Sequence, residues 1–111
     1  MQGQAISLLG LGRIYDLLGD KQQALEFYNK SLPLWRQVEN KAGEATTLNN
    51  IGGVYSDLGD KQIALSHYNK SLPLSRQVGY KAGEAATLTG ICSCLQTRTP
   101  MLANKTISCS H

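Results

Sequence analysis

Residues 42–58, AGEATTLNNIGGVYSDL, carry small and apolar side chains at steps of three and four. That spacing places them on one face of an α-helix. Gly59-Asp60 follows and predicts a tight turn, because glycine adopts the left-handed conformation that ends helices and aspartate caps the next helix. Residues 61–78 then resume the helical spacing. One unit is therefore predicted to be a helix, a turn and a second, antiparallel helix.

The unit is repeated along the chain. Blocks 11–50 and 51–90 are identical at 26 of 40 aligned positions. A period of about forty residues is typical of a repeat array, in which each unit buries its apolar face against its neighbours. The predicted fold class is all-α, an α-solenoid of antiparallel helix pairs with about five helices. We expect units at 2–40 and 42–80, the first helix of an incomplete third unit at 82–95, and an irregular or disordered tail at 96–111.

Three prolines modify this pattern. Pro33 and Pro73 fall inside the second helix of each pair, where we favour a kink because the apolar spacing continues beyond them; the alternative is a break after Ser31 and Ser71. Pro100 blocks a long helix in the tail, where the repeat pattern is lost. A loss this abrupt suggests a truncated or frame-shifted reading, in which case another frame beyond codon 90 would resume the repeat.

The spacing of the unit resembles the tetratricopeptide repeat, in which a large residue, Leu, Gly and Tyr recur on the first helix and Ala and an aromatic on the second. The second copy carries the motif at Leu48, Ile51, Gly52, Tyr55, Gly59, Ala64 and Tyr68. The first copy carries it at Leu8, Leu11, Gly12, Tyr15, Gly19, Ala24 and Tyr28. The forty-residue unit is longer than the family's usual 34 residues and is similar to those of kinesin light chain and of bacterial tetratricopeptide arrays.

This resemblance implies a non-catalytic scaffold that binds a peptide or a partner helix in a concave groove lined by the first helix of each pair. Transferred position by position, the groove candidates are Arg13, Asp16, Thr46, Asn49, Ser56, Asp57 and Thr89. The amide of Asn49 suits a peptide backbone, because it both donates and accepts hydrogen bonds. One alternative is a self-association module of a larger assembly. Another is the regulatory fragment of a multidomain enzyme or signalling protein.

The two ends of the array are expected to expose apolar surface that promotes association. Ile6, Leu9 and Leu17 add apolar surface to the first helix, and Ile91 and Leu95 do so on the last. An array normally needs about three repeats to bury its core, and this chain carries two and a half. A homo-oligomer formed through the exposed repeat ends is therefore a possible state of the chain.

Composition argues against several other classes of function. The net charge of +3 is too small and dispersed for a nucleic-acid surface, and no apolar run reaches the length of a membrane helix. Without a recognisable signal peptide or a disulfide framework, we expect a cytoplasmic protein. His67 has no nucleophile obviously beside it, so we expect no enzyme activity and no cofactor.

The tail contains one set of potential metal ligands. Cys92, Cys94, Cys109 and His111 form a C-x-C…C-x-H pattern that is chemically adequate for zinc. Residues two apart on a helix point about 200° away from each other, so the first two cysteines could share a metal only if their helix unwound. We therefore treat the set as a weak candidate and expect no metal.

Overall fold

The computed structural model describes residues 2–96, which form five α-helices in succession. They are α1 (Gln2–Leu18), α2 (Lys21–Gln37), α3 (Lys41–Asp57), α4 (Lys61–Gln77) and α5 (Lys81–Gln96). We call α1, α3 and α5 the A helices and α2 and α4 the B helices. Gln96, which the sequence analysis assigned to the tail, is the last residue of α5. The rest of the predicted tail lies outside the described residues.

The two-residue turns within each pair follow from their sequence. Gly19 and Gly59 have φ angles of 90° and 88°, the left-handed region in which a side chain is strained. The next residue, Asp20 or Asp60, caps the B helix: its carboxylate accepts a hydrogen bond from a backbone N–H three residues on, at 3.2 and 3.3 Å. So short a connection leaves the two helices of a pair antiparallel neighbours.

Both B helices continue through their prolines, so the alternative of a break after Ser31 and Ser71 is wrong. Pro33 lies inside α2 and Pro73 inside α4. Each proline removes one backbone hydrogen bond, which frees the carbonyl four residues earlier. Those carbonyls belong to Asn29 and Asn69, which are exposed residues, so water can replace the missing donor.

The apolar core lies where each B helix packs between two A helices. Ala24, Tyr28 and Leu25 of α2 form one cluster with Ile51 and Val54 of α3. A second cluster joins α4 to α5 through Ala64, Tyr68 and Cys94. Consecutive A helices also contact each other. The core is therefore continuous from pair to pair, as a solenoid requires.

Tyrosine rings of the B helices lie directly on glycines of the A helices. A Cβ placed on Gly12 would lie 2.5 Å from the ring of Tyr28, and one on Gly52 would lie 2.7 Å from the ring of Tyr68. Real Cβ atoms do not approach other atoms so closely. Glycine is needed at these two positions for space, because the ring occupies the volume of the missing side chain.

A buried serine links the two helices of each pair. The hydroxyl of Ser31 donates to the carbonyl of Ala5 at 2.9 Å, and Ser71 donates to Ala45 at 2.8 Å. Both serines are fully buried. The interhelical hydrogen bond explains how a polar side chain is accommodated at this fully buried position in both units.

At each junction between pairs an aromatic ring covers a glycine, but the two junctions take this ring from different positions of the repeat. Trp35 of α2 is 4% exposed and covers Gly43, where an added Cβ would lie 2.3 Å from the indole. The matching residue of the next pair is Ser75, and there Tyr80 covers Gly83, with the corresponding distance 2.4 Å. The second unit thus replaces the missing indole with a ring from five residues further along the chain.

One predicted core position is not buried. Leu11 carries the family motif, yet it is 40% exposed. Its counterpart Ile51 is 1% exposed because α2 packs over it. Within the described residues no B helix covers the corresponding face of α1.

Two substitutions on α1 test the contact between ring and glycine. We expect Gly12→Ala to lower the free energy of unfolding by about 1–3 kcal/mol, because the methyl group displaces the ring of Tyr28. Gly10→Ala should raise it by about 0.5–1 kcal/mol, since nothing lies within 4 Å of an added Cβ there and alanine favours the helix. Guanidinium chloride denaturation measures both, and equal effects would contradict this packing.

The second junction can be transplanted into the first. We expect Trp35→Ser alone to cost about 3–5 kcal/mol of unfolding free energy, because it empties a buried site. Adding Glu39→Gly and Asn40→Tyr reproduces the residues of the second unit, and we expect most of that loss to be recovered. Denaturation of the single and triple variants checks this; a triple variant no more stable than the single one would show that the two rings are not equivalent.

Candidate functional site

A cavity of about 380 Å³ opens on the side of the molecule where the three A helices lie next to one another. Each A helix contributes residues to its wall, and α4 contributes one. The lining residues are Asp16; Asn49, Asn50, Gly53, Ser56 and Asp57; Tyr68; and Ala86, Thr89, Gly90 and Ser93. The volume is within the usual range of protein ligand sites, and most of the lining groups are polar but uncharged.

The structure brings five of the seven predicted groove residues to this cavity. These are Asp16, Asn49, Ser56, Asp57 and Thr89. Arg13 and Thr46 do not line it. Arg13 is exposed on α1, and the hydroxyl of Thr46 donates to the carbonyl of Ala42 in its own helix at 2.9 Å. Arg13 is therefore outside the cavity.

Asn49 of α3 is held in place by a hydrogen bond from α5. The hydroxyl of Thr87 donates to the side-chain oxygen of Asn49 at 3.2 Å. Thr87 also lies 3.2 Å from the hydroxyl of Ser71, which donates to the carbonyl of Ala45. Because its oxygen is engaged, Asn49 retains the two N–H donors of its amide for a ligand.

Tyr68 is the cavity residue that sequence reasoning assigned only to the core. Its ring lies between Gly52 and Gly90, where added Cβ atoms would lie 2.7 and 2.5 Å away. Its hydroxyl lies 3.8 Å from the position of a Cβ on Gly53. Tyr68 is 5% exposed, and it lines the cavity. In the sequence, the signal for this arrangement is the glycines at 52, 53 and 90, because their missing side chains leave the hydroxyl end of the ring open to the cavity.

One lysine joins the charged groups at the end of the cavity. The ammonium group of Lys21 contacts the carboxylate of Asp16 and donates to that of Asp57 at 2.9 Å. Its pKa is raised, first by the hydrogen bond to Asp16 and then by that to Asp57. This bridge ties the first unit to the second, although pairs at such exposure contribute no more than about 1 kcal/mol.

The weak metal candidate is not assembled within the described residues. Cys92 and Cys94 lie on continuous helix α5, two residues apart, and no group of three potential ligands comes together between residues 2 and 96. Cys109 and His111 lie outside the described residues. His67, whose ring stacks on Tyr55 at 5.6 Å, directs Nδ1 to the carbonyl of Ile63.

Comparison with known families agrees with the architecture. Two family models, each described as tetratricopeptide repeat, match residues 5–33 and residues 45–78, which together are 63 of the 111 residues. The chain belongs to the tetratricopeptide repeat family. Tetratricopeptide repeats generally mediate protein–protein interactions and generally serve as non-catalytic scaffolds. A search of curated protein sequences finds no match to this chain.

No helix between residues 2 and 96 is both long and apolar enough to cross a membrane. The most apolar of the five helices, α1, has 17 residues. That is fewer than the roughly 20 that a bilayer core normally requires.

The buried tyrosines of this tetratricopeptide array predict a loss of stability in alkali. Burial raises the pKa of Tyr28 and of Tyr68 to about 12, whereas an unfolded tyrosine titrates near about 10. As the pH rises, the unfolded chain releases these protons first. The free energy of unfolding is therefore unaffected by ionisation of these two tyrosines below about pH 10 and falls between about pH 10 and 12. The loss has an upper limit of about 2.7 kcal/mol per tyrosine.

Urea denaturation at about pH 9 and about pH 11.5 measures this loss. Wild-type protein should lose more unfolding free energy between the two pH values than Tyr68→Phe, which lacks one of the two groups. The comparison between variants removes the contribution of the lysines. An equal loss in both proteins would show that Tyr68 is not protected from ionisation.

Proposed function

We propose that the cavity binds an extended peptide segment of a partner protein, and that the chain acts as a non-catalytic interaction scaffold. The observation that carries this proposal is the hydroxyl of Tyr68. It belongs to a side chain that is 5% exposed, and it faces the cavity. The hydroxyl is the part of this side chain that is open to the cavity, so a ligand can form a hydrogen bond with it in place of water.

The remaining lining groups suit a peptide backbone. Asn49 and Asn50 offer amide groups, and Ser93 offers a hydroxyl. The hydroxyl of Thr89 donates to the carbonyl of Ala85 at 2.9 Å and can only accept from a ligand, and that of Ser56 already accepts from Lys61 at 2.9 Å. An extended segment leaves its backbone N–H and C=O groups available to such partners, whereas a helix satisfies its own. Polar, mostly neutral walls therefore favour an extended ligand over a partner helix.

Charge at the cavity is restricted to one end. Asp16 and Asp57 are the charged lining residues, and both contact Lys21. Since each carboxylate already has a cationic partner, neither requires a charge on the ligand. We accordingly expect recognition to depend on backbone hydrogen bonds and on the shape of side chains that fit between α3 and α5.

Selection from a randomised peptide library tests this proposal. Peptides recovered on the wild-type chain would be assayed by fluorescence anisotropy against two variants. Gly53→Leu fills the cavity and should abolish binding, and an added Cβ there meets only an ordinary contact at 3.8 Å, so the fold is retained. Tyr68→Phe removes one hydrogen bond and should weaken binding about 2- to 10-fold.

The matched control is Gly10→Leu. It makes the same change on another A helix, where nothing lies within 4 Å and the cavity is not affected. We expect this variant to bind the selected peptides like the wild type. Peptides that bind Gly53→Leu as tightly as wild type would place their site elsewhere and refute the proposal.

A further inference from the structure

One apolar face of α1 is open to solvent, although the same face is covered on the other A helices. We define the α1 face as Gly3, Ser7, Gly10, Leu11 and Ile14. Leu11 is 40% exposed and Ile14 is 53% exposed. Forty residues later, Ile51 and Val54 are 1% and 0% exposed. The α1 face therefore carries the residue types of a buried interface without being buried.

The same molecule shows what covers this face. On α3 the corresponding residues pack against B helix α2, and on α5 they pack against B helix α4. Each contact repeats at a spacing of forty residues. The partner that fits the α1 face is thus a B helix with the sequence of α2 or α4.

The surface that α5 covers has two projecting rings. We call it the α5 seat: the part of α4, with the loop that follows it, against which α5 packs. The ring of Tyr80 would lie 2.4 Å from a Cβ on Gly83, and the ring of Tyr68 would lie 2.5 Å from a Cβ on Gly90. A helix with glycines at those two positions, seven residues apart, fits this seat without displacing either ring.

The α1 face has such a pair of glycines. Gly3 and Gly10 correspond to the two glycines of α5, and nothing lies within 4 Å of a Cβ added to either. The remaining A helix, α3, differs from both, because it has Asn50 at the second position. On α1, Ile14 also takes the place of Cys94 and offers a larger apolar side chain.

We propose that α1 of one copy binds α4 of a second copy in the α5 seat, so that the chain associates head to tail. The contact joins two different surfaces, so it can extend into an open chain of copies. Compared with bound α5, bound α1 lacks one ion pair, because Gln4 stands in the place of Glu84, which pairs with Arg76 at 3.1 Å. Arg76 is 56% exposed, so the loss of this pair costs little. The competitor of bound α1 is α5 of the same chain, whose attachment keeps it at high effective concentration.

Association is therefore weak in the wild type and strong when α5 is displaced. Gly90→Leu sets a side chain against the ring of Tyr68 and should release α5. The double variant Gly90→Leu/Gly10→Leu has an open seat and a blocked α1 face. It should be monomeric alone, yet it should form a 1:1 dimer with wild-type protein, at twice the monomer mass of 12.1 kDa.

Sedimentation velocity in reducing buffer gives these masses, and two further partners locate the contact. Wild-type protein carrying Ile14→Asp should not pair with the double variant. Leu17→Asp, which changes an 88% exposed residue outside the α1 face, should pair normally. A mixture that stays at the monomer mass, or a dimer that survives Ile14→Asp, overturns the proposal.

A second measurement applies if the double variant loses its helical circular dichroism. The mass of the wild type would be followed from micromolar to millimolar concentration, with Gly10→Leu in parallel. The average mass of the wild type should rise at least 1.5-fold at about the millimolar effective concentration of a tethered helix, and that of Gly10→Leu should not. No rise in the wild type, or an equal rise in both, overturns the proposal.

Discussion

The rest of this structure depends on the close approach of a tyrosine ring to glycine. Tyr28 rests on Gly12, and Tyr68 rests between Gly52 and Gly90. Because no side chain separates the helices at these points, each B helix packs tightly against an A helix of its own pair, and Tyr68 also packs against the next. The spacing of the pairs, the continuity of the core and the position of the Tyr68 hydroxyl all follow from this contact.

Local signals in the sequence were sufficient for the architecture. The Gly-Asp turns, the apolar spacing and the forty-residue period predicted five helices and their order, and the helix ends differ from the prediction by about one residue. These features depend on residues close to each other in sequence. The prolines were harder to interpret, because whether a helix continues past Pro33 depends on whether water can reach the freed carbonyl of Asn29.

Features set by contacts between units could not be predicted in the same way. Leu11 carries the family motif but is not buried, since burial requires a neighbouring helix and not the motif alone. At the cavity, the one-turn difference between Arg13 and Asp16 decides which side chain reaches it. Tyr68 was recognised as a core residue, but a sequence does not show that its two ends have different environments, one packed on glycine and one open.

The exchange of Trp35 for Tyr80 has a consequence for how such genes change. The two copies share 26 of 40 positions, so an exchange between them out of register would give a chain of the same repeat pattern. A crossover between the codons for positions 35 and 40 would give one product with both rings and another with neither. Crossovers outside that short interval keep each ring with its own glycine. The junction therefore keeps one ring for each glycine only when positions 35 to 40 pass together from one copy to another.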